Sequence, residues 1–226
     1  MMNLDWLKRF LANRSNEIIA VTATAIAAYG LYRCWQCWFC EDKYFKGIRS
    51  SIKPSKDKIV LVIGLNDSGK TCFLQSFGAP YPLLEDPPPT PALYSVTKTI
   101  RNVNYVFFEV GASEGLFKAM MSWPDFVKSL KTDAVVMVVD SADQQRIKEA
   151  RTALSQFSDR INTENINLLI LANKQDNPGA LMPEQVRERI TDVKYKYKSL
   201  HVIGTSVCPG KERYGVDKAY KILSSF

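Results

Sequence analysis

The chain has 226 residues, enough for one α/β domain with some surplus. Hydrophobic residues make up 46% of it and charged residues 23%, which is ordinary for a globular protein. Five cysteines, an odd number, argue against a disulfide framework and favour a reducing compartment. The net charge is +7, but no basic stripe interleaved with aromatic residues follows the N-terminal region, so a nucleic-acid partner is not expected.

The N-terminal segment predicts a membrane anchor. Residues 18–32 form a charge-free apolar run, and after Arg33 the apolar character continues through CWQCWFC. The span 18–40 reaches the roughly 20 residues that a bilayer core requires if Arg33 extends to the headgroups. Residues 1–17 precede it as an amphipathic segment, and 41–57 form a basic linker. By the positive-inside rule, the rest of a single-pass protein would be cytosolic, at the endoplasmic reticulum or the mitochondrial outer membrane.

Other interpretations of this segment stay open. They are a cleaved signal peptide, a buried helix of a soluble domain and a shallow interfacial helix. Cys34, Cys37 and Cys40 lie at helical spacing beside the expected membrane edge, where they are either acylated or unmodified. Residues 33–58 carry seven basic and three acidic side chains, which indicates a membrane surface as a partner.

A phosphate-binding loop is predicted directly after the first strand. The apolar run 59–63 is followed by Gly64-x-x-x-x-Gly69-Lys70-Thr71 and then by an apolar helix. Glycines let the backbone fold around phosphates, while loop N–H groups and the helix N-terminus provide an anion site. The Lys70 ammonium would reach the β- and γ-phosphates, and the Thr71 hydroxyl would face Mg²⁺.

A second loop, further along the chain, predicts selection of guanine. The buried strand 166–172 ends in Asn173-Lys174-Gln175-Asp176. The Asp176 carboxylate can accept hydrogen bonds from both N1–H and N2–H₂ of guanine, a donor pair that adenine lacks. The stem of Lys174 can lie over the base, and Asn173 can tie this loop back to the phosphate loop. The two loops together predict a guanine-nucleotide site.

With both loops in place, residues 58–226 resemble the ARF-like branch of the Ras-type small GTPases. The segments PTPALYSV, AVVMVVDSADQQRIKEARTAL, LLILANKQDNPGAL and GTSVCPG carry the resemblance. It implies that Thr90 of switch I senses the γ-phosphate through Mg²⁺, and that the backbone N–H of Val207 faces the guanine oxygen. The implied nucleotide-binding residues are Asn66, Asp67, Ser68, Gly69, Lys70, Thr71, Cys72, Thr90, Ala112, Asn173, Lys174, Asp176, Ser206 and Val207. The implied metal site consists of Thr71 and Thr90, with Glu109 in an outer-sphere role.

Switch II departs from the family pattern. The family reads Asp-x-x-Gly-Gln, whereas this chain reads EVGAS from Glu109 to Ser113. Glu109 keeps a carboxylate, and Ala112 keeps an N–H group but loses the freedom of glycine at positive φ. Ser113 is too short to orient the attacking water as glutamine does. No catalytic residue is therefore assigned, and at most a very weak intrinsic GTPase activity is expected. Asn66 also removes a negative charge that relatives often have beside the phosphates.

The order of elements predicts an α/β P-loop NTPase with a doubly wound, mostly parallel six-stranded sheet, preceded by the N-terminal transmembrane helix. The predicted strands are 59–64, 94–100, 104–110, 134–140, 166–172 and 200–205, with a hairpin turn at 102–104. The predicted helices are 69–77, 116–130, 144–160, 183–191 and 215–225. The expected function is a membrane-anchored GTP/GDP switch that presents switch I and switch II to cytosolic effector proteins. A nucleotide-bound scaffold that does not cycle, and the GTPase subunit of a signal-recognition-particle receptor, are the alternatives.

Overall fold

A six-stranded sheet with helices forms the described part of the chain. The computed structural model describes residues 57–78, 93–110, 123–207 and 212–226. The strands are β1 (Asp57–Ile63), β2 (Leu93–Ile100), β3 (Val103–Val110), β4 (Ala134–Asp140), β5 (Asn167–Asn173) and β6 (Ser199–Gly204). The helices are α1 (Lys70–Gly78), α2 (Trp123–Leu130), α3 (Ile147–Ser158), α4 (Pro183–Ile190) and α5 (Val216–Leu223), with a 3₁₀ turn at Thr163–Asn165.

The strand order is β2-β3-β1-β4-β5-β6. Strand β2 runs antiparallel to β3, and all the other neighbouring strands pair in parallel. This confirms the predicted α/β class and the mostly parallel sheet with one antiparallel edge. Because β2 and β3 lie on one side of β1 and β4 to β6 on the other, the order reverses at β1. A crevice at the carboxyl ends of β1 and β4 is where such sheets bind ligands.

The central strands are apolar on both faces because helices cover both sides of a parallel sheet. All seven residues of β5 are buried, as are the first six of β4. Edge strand β2 instead alternates between exposed and partly buried residues along most of its length. The apolar sequence pattern thus accounts for the position of β1, β4 and β5 inside the sheet.

Phe107 on β3 allows a direct test of this core. Its side chain is fully buried, and its ring centroid lies 6.4 Å from that of Tyr105. Phe107→Ala is expected to lower the free energy of unfolding by about 3–5 kcal/mol, because the surrounding strands cannot close the cavity left behind. Chemical denaturation measures the change. Val193→Ala, at a fully exposed position, is the control and should change stability by less than about 0.5 kcal/mol.

The hairpin turn and the start of α3 differ from the prediction. The turn consists of Arg101 and Asn102, with φ of 49° and 65°, between β2 and β3. Such a pair suits a two-residue hairpin loop, although glycine is absent from it. Helix α3 begins at Ile147 rather than at 144, because the Asp140 carboxylate accepts from the N–H groups of the preceding turn, at 3.0 and 3.3 Å, and the Asp143 carboxylate from another. Those bonds hold a turn where helix was expected.

The prediction of a single-pass membrane protein is contradicted. Among residues 57–78, 93–110, 123–207 and 212–226, no helix is long and apolar enough to cross a bilayer. The predicted anchor at 18–40, its amphipathic leader and nearly all of its basic linker lie outside the described residues, as do the three cysteines proposed for acylation.

Candidate functional site

The loop between β1 and α1 is built around two glycines. Gly64 and Gly69 have φ of 148° and 93°, where side chains introduce strain. A Cβ atom on Gly64 would lie 2.3 Å from the Val138 carbonyl oxygen, and one on Gly69 would lie 2.3 Å from Asn173 Nδ2. Both positions therefore require glycine. The loop is pressed against β4 on one side and against the end of β5 on the other.

Lys70, the first residue of α1, carries a buried ammonium. It is 6% exposed, and its Nζ donates to the Leu65 carbonyl oxygen at 2.9 Å. Burial lowers the pKa of Lys70, while the carboxylates of Glu109 and Asp67 act in the opposite direction and the Arg146 guanidinium reinforces the lowering. A desolvated cation inside a loop of this shape is suited to an anion.

Thr71 and Glu109 lie next to this cation. The Thr71 hydroxyl donates to Glu109 Oε1 at 2.9 Å, and Glu109 is 2% exposed near the end of β3, in register with Val62. A hydroxyl and a carboxylate are the oxygen ligands that Mg²⁺ uses together with substrate phosphates. The described ranges contain no group of three or more His, Cys, Asp or Glu side chains able to hold a metal by themselves. The residues present therefore suit a cation that shares its ligands with a bound phosphate.

Asn173 joins the phosphate loop to the end of β5. Its Nδ2 donates to the Ser68 carbonyl oxygen at 2.9 Å, and its Oδ1 accepts from the Thr205 hydroxyl at 3.1 Å. The side chain is buried. Ser68 also keeps its own hydroxyl buried without a hydrogen-bond partner among the described residues. Asn173 thus joins two loops that are far apart in the sequence into one edge of the site. The buried Ser68 hydroxyl at this edge could still form a hydrogen bond with a ligand.

The predicted guanine-binding loop, residues 173–176, is called the base loop. Its remaining residues lie beside Asn173 at the end of β5. Lys174 has φ of 63°, and its Nζ lies 2.8 Å from Asp140 Oδ2. Asp176 Oδ1 accepts from the Ser206 hydroxyl at 2.7 Å, and Val207 follows as a buried residue. The structure therefore brings the Asp176 carboxylate together with the segment after β6.

The other predicted site residues divide into two groups. Asn66 and Asp67 lie in the phosphate loop, and Cys72 is half-buried in the first turn of α1. Thr90, Ala112 and Ser113 lie outside the described residues.

Sequence reasoning assigned no role to Gln175. Gln175 Nε2 donates to Ser141 Oγ and to the Leu181 carbonyl oxygen, both at 2.8 Å, and its backbone N–H donates to Thr205 O at 3.1 Å. These bonds fix the loop from three sides. No signal in the local sequence identifies the role, since the partners come from other elements.

It also missed Arg146 and Asp140. Arg146 Nη1 donates to the Asn66 carbonyl oxygen at 3.1 Å, while its Nε lies 3.0 Å from Glu149 Oε2. The signal for Asp140 was a carboxylate at the end of a buried strand, where ligand-facing residues are expected.

Comparison with known proteins identifies the family. The model of the ADP-ribosylation factor (ARF) family matches residues 45–225. The chain belongs to the ARF family. ADP-ribosylation factor-like protein 4D of Mus musculus is 32% identical over 171 residues, which cover 73% of this chain and 82% of that protein. The resemblance to ARF-like small GTPases is thereby confirmed.

Two solved structures share the fold of this ARF-family chain. The mammalian SRP receptor structure has a TM-score of 0.59 and 23% identity, covering 74% of this chain and 99% of that one. The Arl6 BBS3 small GTPase of Trypanosoma brucei, with bound nucleotide analogue GppNp, has a TM-score of 0.57 and 20% identity, covering 75% and 96%. At these identities they show the fold alone. ARF-family GTPases bind GTP and GDP, so the joined loops lie in a guanine-nucleotide-binding family.

Proposed function

We propose that this ARF-family chain is a GTP/GDP switch with very weak intrinsic hydrolysis, which presents its switch regions to effector proteins in a nucleotide-dependent way. The observation that carries the proposal is the hydrogen bond from Asn173 to the phosphate loop. It joins the predicted phosphate-binding loop to the predicted guanine-binding loop, as a nucleotide-binding protein requires. Lys70, with the backbone from Asn66 to Cys72, would bind the phosphates. Asp176 would bind the guanine edge, with Lys174, Ser206 and Val207 around the base.

A magnesium ion fits the same edge. Thr71 would bind it, Glu109 would act through a water, and Thr90 would complete the site when GTP is bound. When bound, Mg²⁺ supplies positive charge to the β- and γ-phosphate oxygens. The hydrogen bond between Thr71 and Glu109 supports this assignment, since it brings the two oxygens together, and the Glu109 carboxylate acts on the Lys70 ammonium by opposing the lowering of its pKa by burial.

Binding measurements test the switch. We expect a non-hydrolysable GTP analogue and GDP to bind with affinities that respond differently to Mg²⁺, and hydrogen exchange in the switch regions to differ between the two complexes. A protein that binds both nucleotides equally, with unchanged exchange, would instead be a scaffold that does not cycle. The alternative role, as the GTPase subunit of a signal-recognition-particle receptor, is supported only by similarity of fold.

Ser113→Gln is expected to raise the single-turnover rate of GTP hydrolysis by about tenfold or more, because the longer amide can orient the attacking water. Nucleotide affinity should stay the same, since the ground-state contacts are unchanged. Ser225→Gln is the matched control and should hydrolyse GTP at the wild-type rate. Ser225 lies just after α5, near the amino end of β1, where Lys58 donates to the Phe226 carbonyl oxygen, whereas the proposed site lies at the carboxyl ends of the strands. Equal rates in the wild type and Ser113→Gln would show that hydrolysis is not limited by the missing glutamine.

A further inference from the structure

Asp140 ends β4 directly beside the base loop. Asp140 pairs in register with Asn173 at the end of β5, so its carboxylate lies close to Lys174, the residue after Asn173. Its Oδ2 lies 2.8 Å from Lys174 Nζ. Its Oδ1 accepts from the N–H groups of Ala142 and Asp143 at 3.0 and 3.3 Å, which fixes the carboxylate in place. One oxygen is thus used for the turn and the other for Lys174.

The loop holds the backbone of Lys174, and among the described residues the polar contact of its side chain is the ion pair with Asp140. The backbone has φ of 63°, and its carbonyl oxygen accepts from the Asn177 N–H at 3.0 Å. The side chain of Lys174 is 34% exposed, and that of Asp140 is 22% exposed. A lysine has four rotatable side-chain bonds, so the ion pair decides where the stem lies.

We propose that Asp140 is a positioning residue for the guanine nucleotide: it holds Lys174 alongside the base before the nucleotide arrives and so slows nucleotide release. The inference rests on the proposed function. A side chain that is ordered in advance loses less freedom when the ligand binds, which strengthens binding without a new contact. Asp140 itself would touch neither base nor phosphate.

The negative charge of Asp140 would itself weaken nucleotide binding, which opposes the effect of holding Lys174 in place. A carboxylate near a polyphosphate repels it, so removing the charge alone would tighten binding. The Asp143→Asn variant measures this general effect of losing a negative charge. Asp143 lies in the same turn as Asp140, and its carboxylate is bonded to the turn and not to Lys174. Its Oδ1 accepts from the backbone N–H of Arg146 at 3.2 Å, and an asparagine there would keep that bond. Asp140→Asn likewise keeps the acceptor for the turn, and it replaces the oxygen that faces Lys174 with an NH₂ group, which removes both the charge and the acceptor on that side.

The test measures release of GDP that carries a fluorescent N-methylanthraniloyl group on its ribose, chased with excess GDP. Asp140→Asn is expected to release it about threefold to tenfold faster than the wild type. Asp143→Asn should stay within about twofold, and Asp140→Glu, which keeps the charge, should release more slowly than Asp140→Asn. In a Lys174→Met background, Asp140→Asn should no longer accelerate release, and only the small charge effect that Asp143→Asn also shows should remain. Higher salt should shrink the effect of Asp140→Asn, because the pair is partly exposed.

Two results would overturn the inference while the wild type still binds labelled GDP. Release from Asp140→Asn that is no faster than from Asp143→Asn would show that the ion pair does not hold the nucleotide. The same acceleration with and without Lys174 would show that Asp140 acts through the turn instead. A wild-type protein that holds no labelled GDP would overturn the proposed function, and the inference with it. Normal binding by the wild type, with unaltered release from Asp140→Asn, would overturn the inference alone.

Discussion

Lys70→Met is expected to weaken binding of GDP and GTP by about 100-fold or more. A hydrogen bond to a charged group contributes about 1.5–3 kcal/mol, and the Lys70 ammonium would serve more than one phosphate oxygen. Lys70 is only 6% exposed, so its ammonium is already largely stripped of water in the structure, which is also why its pKa is lowered. A bound polyphosphate would replace that lost hydration, so the contact is realised at low cost.

The same substitution should also lower the stability of the nucleotide-free protein. Methionine keeps much of the apolar stem, but it leaves the buried Glu109 carboxylate without the nearby cation and the Leu65 carbonyl oxygen without its donor. Since the pKa of folded Lys70 lies below its ordinary 10.5, the unfolded chain binds more protons between those two values. Stability of the wild type should therefore rise with pH in that window, and Lys70→Met should lose this contribution. Urea denaturation at several pH values measures both effects.

Lys128→Met provides the control for Lys70. Lys128 is an exposed lysine in the last turn of α2, so its loss removes the same charge without reaching the phosphate loop. Its nucleotide affinity should match that of the wild type. If Lys70→Met bound GDP within about threefold of the wild type, the loop would not be the phosphate site, and the proposed function would fail.

The sheet could be predicted because its central strands contain long apolar runs. Runs such as 59–63 and 134–139 are buried almost completely, and their order along the chain fixes the class. The hairpin turn was placed slightly too late, at 102–104, because Arg101 and Asn102 adopt positive φ without a glycine to mark the position. The start of α3 was missed because the Asp140 carboxylate accepts from the turn before it, a local competition that periodicity does not report.

The candidate site shows a similar division. Lys70 and Asp176 could be found because phosphate and guanine each require a particular side chain at a fixed place in a short motif. Gln175 could not, because its amide reaches Ser141, 34 residues away, and this distance closes only when β4 pairs with β5. Asp140 depends on the same pairing. Residues within the two short motifs, including Asn173, left a clear sequence signal, whereas Gln175 depends on partners that only the fold brings close.

Asp176→Asn is expected to reduce guanine-nucleotide affinity by about 100-fold or more and to shift the preference toward xanthine nucleotides. The carboxylate would accept from N1–H and N2–H₂ of guanine, and an asparagine can accept only one of these while its amide opposes the other. Each lost bond to a charged acceptor costs about 1.5–3 kcal/mol. Xanthine carries an oxygen where guanine has the amino group, so the asparagine amide can donate to it.

The base loop itself should survive this substitution. Asparagine keeps Oδ1, which accepts from the Ser206 hydroxyl at 2.7 Å in the wild type, so a change in preference would report on the base and not on misfolding. Competition of GDP, XDP and ADP against fluorescent GDP and XDP measures the preference. Asp143→Asn, a carboxylate-to-amide change at the same edge of the sheet, should leave it unchanged. An Asp176→Asn protein that still favoured guanine over xanthine would mean that another group reads the base, because a single amide cannot satisfy the two donors of guanine that a carboxylate accepts.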